Sequence, residues 1–261
     1  MRERRRALWP ILLLLAGAAA YPSTAAAEKK KSFWPRGSAW SQAARRGLRD
    51  PGTWAPAAAA AAIAIGGWDQ QISDWAVENT PVFGSIEAAD EWSDRLAVAG
   101  DVGMIATALS IHAESRPWHL RGKTLLVEET GVLAALSVTS VLKSATDRER
   151  PDESDQRSFP SGHATRAFAY AAASRRNLSA TRLSRGWQLG IGAGLETLAA
   201  GTAWARVEGQ DHFPTDVLVG AAVGNYVALL FHDAFLGAPE RALVSVDANP
   251  KRPSLLVVLH F

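Results

Sequence analysis

The sequence predicts an all-α protein, a helical bundle that ends in a small β-hairpin. Long runs of Ala, Leu and Val, broken by short polar stretches, fill the chain between residues 56 and 236, a pattern typical of helices. Windows that alternate polar and apolar residues are few before residue 240. The 261 residues include no cysteine, so an ordinary apolar core has to stabilise the chain without disulfides.

Seven helices are predicted in order, each ending where Gly, Pro or charged residues interrupt an apolar run. Their ranges are roughly 56–66, 70–78, 86–112, 122–146, 161–176, 185–203 and 214–236. Charged residues such as Asp101, Glu128 and Glu196 lie inside three of these runs, and the uncharged run from Val217 to Phe231 is short for a membrane span. We therefore expect a bundle that is water-soluble or attached to a membrane at its surface.

Two glycine patterns within the helices are interpreted as sites of close helix packing. Gly190, Gly192 and Gly194 alternate with other residues, but they lack the spacing of a phosphate-binding loop and no strand precedes them. Gly220 and Gly224 are four residues apart in an apolar helix, a spacing that lets two helix backbones approach closely.

Both ends of the chain differ from the predicted helical domain, residues 55–238. Residues 1–27 have a basic start, an apolar run and a final Ala-Ala-Ala, which predicts a secretory signal peptide, with a retained membrane anchor as the alternative. Either one implies export to the cell envelope, on the periplasmic side. In the tail, residues 239–261, two Val- and Leu-rich stretches flank the turn sequence NPKRP and predict the hairpin.

Residues 28–54 form a basic segment that contains Trp34, Trp40 and Trp54. Such a segment can lie at a membrane surface; alternatively, its tryptophans fill the periphery of the core. Over the whole chain, 28 Lys and Arg face 26 Asp and Glu, and the excess lies in the first 27 residues. A nucleic-acid-binding domain would keep a basic surplus in its folded part, so we expect no nucleic-acid partner.

Three polar clusters lie at predicted helix boundaries: KSATDRERP at residues 143–151, FPSGH at 159–163 and RVEGQDHFPTD at 206–216. Ser161 is a good N-cap, and the backbone N–H groups of the helix that it starts favour an anion. Pro214 suits the first position of the last helix. Asp216 then lies one turn after His212, where its carboxylate can fix the imidazole tautomer and leave the other nitrogen free as a nucleophile.

The pattern K-x6-RP, PSGH and R-x5-H-x3-D resembles the signature of the type-2 phosphatidic acid phosphatase family, which includes bacterial non-specific acid phosphatases and vanadium haloperoxidases. The family often has Ser before the third-motif Arg, where this chain has Ala205. All ten positions compared are present: Lys143, Arg150, Pro151, Pro160, Ser161, Gly162, His163, Arg206, His212 and Asp216.

The resemblance implies a helical bundle whose active site lies at facing helix ends, and a two-step phosphoryl transfer that needs no metal or cofactor. In it, His212 attacks phosphorus and forms a phosphohistidine, Asp216 orients His212, and His163 protonates the leaving oxygen and then activates water. The phosphate oxygens would be held by Lys143, Arg150, Ser161, Gly162 and Arg206.

We therefore expect an exported phosphatase acting on phosphate monoesters or pyrophosphates, with a lipid-linked substrate and a possible membrane surface as partners. A soluble periplasmic acid phosphatase is one alternative, and a vanadium haloperoxidase, for which the chain is short, is another. A lipid-phosphate-binding protein without turnover would be expected to lack a catalytic histidine, and both histidines are present.

Overall fold

The computed structural model describes residues 34–111, 118–238, 243–247 and 254–258. The predicted signal peptide, residues 1–27, lies outside these ranges. Eight helices occur within the described residues: α1 Gly37–Arg49, α2 Pro51–Gly66, α3 Asp69–Asn79, α4 Ile86–Ser110, α5 Trp118–Thr146, α6 Gly162–Ser179, α7 Arg185–Glu208 and α8 Pro214–Leu236. The predicted helical class is confirmed.

The strands β1, Leu243–Asp247, and β2, Ser254–Val258, pair antiparallel with Leu243 opposite Val258. The residues that join them lie outside the described ranges, so the closed hairpin stays a prediction.

Helix α1 was not predicted, because its sequence is rich in polar and basic residues. Its two buried residues, Ala43 and Gly47, are four apart and both small. They let α1 approach α8 so closely that a Cβ on Gly47 would lie 3.0 Å from the Tyr226 ring. The Trp40 ring packs edge-on against Phe231 and Phe235 of α8, at 5.4 and 5.5 Å. Trp40 therefore lies at the periphery of the core, whereas Trp34 and Trp54 are more than half exposed, so a membrane-surface role of the segment stays a prediction.

Helices α6 and α8 form the centre of the bundle, and their backbones touch. A Cβ on Gly224 would overlap the Thr165 carbonyl, and one on Gly220 would lie 2.6 Å from the Ser161 carbonyl oxygen. The predicted close packing is confirmed for this pair. In α7 it is wrong for Gly190 and Gly194, which face open space, whereas Gly192 is buried and a Cβ there would lie 3.8 Å from Arg175 and Leu178 of α6.

The charged residues that interrupt the apolar runs are paired with partners on other helices. Asp101 pairs with Arg166, Glu196 with Arg175 at 2.7 Å, and Glu128 with His232 at 3.1 Å. An ion pair lowers the cost of taking a carboxylate out of water. These charges therefore do not require the helix that carries them to face solvent.

Among the described residues, α5 and α8 are long and apolar enough to cross a membrane, with mean hydropathies of 1.6 and 1.4 in the best window of each. Two thirds of the α8 window is buried inside the bundle, but only a third of the α5 window. Both helices contain acidic residues, such as Glu128 in α5 and Asp233 in α8, so neither is an uninterrupted uncharged run of a full span.

Candidate active site

The three polar clusters meet at one end of the bundle. Lys143 is in the last turn of α5, Arg206 is in the last turn of α7, and Ser161 precedes the first residue of α6. The backbone N–H of Ser161 donates to the carbonyl of Asp216 in the first turn of α8, at 3.0 Å. This bond joins the second cluster directly to the third.

His212 is buried beside the start of α8. Its Nδ1 lies 3.7 Å from Oδ2 of Asp216, which is longer than a hydrogen bond. The expected hydrogen bond between His212 and Asp216, which would fix the imidazole tautomer, is therefore not formed, although Nδ1 does face the carboxylate. Burial lowers the pKa of His212 to about 4, against the opposing effect of Asp216. The imidazole is consequently neutral at physiological pH, the form in which a histidine acts as a nucleophile.

Asp216 is fully buried, and other donors hold it in place. Its Oδ1 accepts a hydrogen bond from Arg148 Nη1 at 2.8 Å, while Oδ2 accepts one from the Phe213 N–H at 2.8 Å and one from the Ser158 hydroxyl. Pro214 occupies the first position of α8, as predicted.

Ser161 is the N-cap of α6, as the sequence predicts, and its hydroxyl accepts the Ala164 N–H at 3.4 Å. His163, in the first turn, is half-buried, and its Nε2 lies 3.2 Å from Oδ1 of Asp94 on α4. Burial, together with the positive charge of Arg206, lowers the pKa of His163, and Asp94 partly opposes this shift.

One carboxylate brings two of the predicted phosphate-binding cations together. Oδ1 of Asp211 lies 2.7 Å from Arg150 Nη1 and 2.5 Å from Arg206 Nη2. Arg206 also contacts Asp90 at 2.6 Å, one turn before Asp94 on α4. The ammonium group of Lys143 contacts the carbonyls of Arg157 and Ser158.

The sequence and the fold are both similar to those of known proteins. Residues 129–238 match the family model of the PAP2 superfamily. One similar solved structure is that of a transmembrane PAP2-type phosphatidylglycerolphosphate phosphatase from Bacillus subtilis. The two structures align with a TM-score of 0.51 and 26% sequence identity, and the alignment covers 66% of this chain and 88% of the other. The segment 129–238, which contains all three motifs, is therefore similar to the PAP2 superfamily in sequence, and the fold is similar to that of a PAP2-type phosphatase. The curated proteins include no match.

The candidate site also contains residues that the motifs do not indicate. Asp90 and Asp94 belong to α4, far from the motifs in sequence, and only their spacing of one helical turn is a local signal. Asp211 directly precedes His212, and Arg148 lies inside the first motif at a position that the pattern leaves open. No cluster of His, Cys, Asp or Glu within the described ranges could hold a metal ion.

Proposed function

We propose that this protein hydrolyses lipid-linked phosphate monoesters or pyrophosphates through a phosphohistidine on His212. The observation that carries the proposal is the position of His212, a buried neutral imidazole whose Nδ1 faces Asp216 and whose pKa is lowered in part by the positive charges of Lys143 and Arg206. Phosphoryl transfer is catalysed mainly by positioning and by stabilising charge on the phosphate oxygens. Lys143, Arg150 and Arg206 supply that charge.

In the first step, Nε2 of His212 attacks phosphorus while the bond from phosphorus to the leaving oxygen breaks. The imidazolium of His163 gives its proton to that oxygen. The negative charge of Asp216 stabilises the positive charge that develops on the His212 ring. In the second step, His163 takes a proton from water, the water oxygen attacks phosphorus, and the bond from phosphorus to His212 breaks and releases phosphate.

The surface of the bundle favours a lipid substrate over a soluble one. On α4, the side chains of Val98, Val102, Ile105 and Leu109 are exposed along one face. Large exposed apolar faces mark contacts with lipid or protein. The similar Bacillus subtilis protein is described as a transmembrane phosphatase of a phospholipid.

A groove beside the site supports the same substrate class. It has a volume of about 620 Å³ and lies between alanines of α2, including Ala57 and Ala64, and Val219 of α8. Its polar end is formed by residues that include Arg148 and Thr215, next to Asp216. An apolar groove that ends at the polar site has the shape and polarity for part of a lipid chain.

The proposal is tested by phosphate release from a panel of lipid phosphates in micelles and of soluble phosphate esters. We expect the His212→Ala variant to lose about a thousandfold or more in kcat, since it removes the nucleophile. His119→Ala is the matched control, because His119 is exposed near the start of α5, away from the site. Full activity of His212→Ala would contradict the mechanism, and a higher kcat/KM for soluble esters would favour a soluble acid phosphatase.

A further inference from the structure

Arg148 connects the catalytic carboxylate to a helix that contains none of the motifs. Its Nη1 donates to Oδ1 of Asp216 and to Oγ1 of Thr215, both at 2.8 Å. Its Nη2 lies 2.6 Å from Oδ2 of Asp69, the first residue of α3. The guanidinium also lies over the Phe213 ring, with Cζ 4.2 Å from the ring centroid.

Asp69 is held at the start of α8 by two further bonds. Its Oδ1 accepts the Thr215 N–H at 3.0 Å, and its Oδ2 accepts the Thr215 hydroxyl at 2.5 Å. The N–H groups in the first turn of a helix lack partners within the helix. Asp69 satisfies one of them and also fixes the guanidinium of Arg148 from the side opposite Asp216.

This arrangement determines which oxygen of Asp216 faces His212. Arg148 occupies Oδ1, and Oδ2 is the oxygen that lies 3.7 Å from Nδ1 of His212. His212 makes no short bond to the Asp216 carboxylate. The orientation of the carboxylate therefore depends on Arg148, Ser158 and the Phe213 N–H. Of these three donors, Arg148 alone brings a positive charge.

We infer that Arg148 and Asp69 are a positioning pair that holds the carboxylate of Asp216 toward His212 and thereby sets the rate of phosphoryl transfer. The inference rests on the proposed function. Neither residue is among the ten motif positions, and the bonds described for Arg148 all go to other side chains of the protein rather than to the predicted phosphate-binding groups. Its loss should therefore lower kcat more than it raises KM.

The variants Arg148→Gln, Asp69→Asn and the double variant test the pair in the purified full chain. We expect Arg148→Gln to lower kcat about 10- to 100-fold, the range seen when a residue that orients a catalytic ligand is removed. KM should stay within about threefold of the wild-type value. Asp69→Asn should act in the same direction, and the double variant should be no slower than Arg148→Gln, because coupled residues are not additive.

The pH profile separates a positioning role from a purely structural one. Asp216 is surrounded by Arg148, Asp69, His212 and Lys143 as titratable groups. Removing the cation at 2.8 Å favours the protonated forms of Asp216 and of the adjacent His212, whose protonation stops the attack on phosphorus. The acidic limb of the kcat profile should therefore move to higher pH in Arg148→Gln and move less in Arg148→Lys. Arg45→Ala, which removes an exposed guanidinium on α1, is the control for both measurements.

A folded Arg148→Gln with wild-type kcat and an unshifted acidic limb would overturn the inference. If that variant is unfolded at the assay temperature, Arg148→Lys and Asp69→Asn decide, and wild-type kcat in both would also overturn it. These results leave the proposed function intact as long as His212→Ala is inactive. An active His212→Ala would instead remove the proposed function on which the inference rests.

Discussion

The two histidines of the site have different surroundings, and in the proposed mechanism these set opposite limits to the pH range of activity. His212 has to be neutral to attack, and burial lowers its pKa to about 4. His163 has to be protonated to act as the acid, and its pKa lies below the ordinary value of 6.5. The correct combination of the two forms therefore exists mainly above the pKa of His212 and below that of His163.

We predict a bell-shaped profile of kcat/KM with an acidic optimum, since this quantity reports the pKa values of the free enzyme. Asp94→Asn should move the basic limb to lower pH, because the carboxylate at 3.2 Å favours protonated His163. Initial rates between pH 3.5 and 9 measure both limbs, with a range of buffers at about constant ionic strength. A profile that still rises at pH 9 would contradict the role of His163 as the acid.

Single residues also show which parts of the site can be predicted from the sequence and which cannot. The motif positions were predictable because their chemistry is local: an N-cap at Ser161, a helix start at Pro214 and a His four residues before an Asp. The residues that contact the motif side chains were not predictable, because they are distant in the sequence. Asp94, for example, contacts His163 although the two are 69 residues apart. Only the packing of α4 against α6 creates that contact.

At the scale of elements, the same glycine signal had two outcomes. Gly220 and Gly224 line the crossing of α8 with α6, whereas Gly190 and Gly194 of α7 have open space around them. Spacing along one helix shows that a smooth face exists, but not that another helix covers it. For the same reason α1 was missed, since its small buried residues have meaning only against α8.

We predict that Gly224→Ala destabilises the fold by about 1–3 kcal/mol or more, because the new methyl group would overlap the α6 backbone at Thr165. Gly194→Ala is the matched control, a helical glycine with open space around it, and it should leave stability unchanged or raise it slightly. Thermal or denaturant unfolding of both variants measures the difference. Equal stability of the two would show that α6 and α8 do not pack as described.

At the scale of the whole molecule, part of the bundle has charged side chains buried between helices and apolar side chains exposed on the outside. Ion pairs such as Arg176–Asp233, at 2.9 Å, are buried between helices. Leu126, Leu133 and Val141 of α5 are exposed instead. This distribution is what a lipid environment favours, because charges then need partners inside the protein.

We therefore predict that the full chain floats with lipid vesicles in a density gradient and stays bound after a wash with high salt. Docking through the basic segment 28–54 alone would be released by salt, since the attraction of exposed charges is screened. Apolar contact through α4 and α5 would not be released. Protein that remains in the aqueous fraction without detergent would contradict the lipid-facing surface and favour the soluble alternative.

A covalent phosphate on His212 is the central step of the proposed mechanism, and trapping it is the most direct test. A His163→Ala variant should accumulate this intermediate from a phosphate ester whose leaving group needs no proton, because water activation is then slowed. Rapid quenching in alkali, digestion and mass spectrometry should find phosphate on the peptide that contains His212, and none in His163→Ala/His212→Ala. Phosphate release by His163→Ala without any label on His212, or label on another residue, would contradict the account.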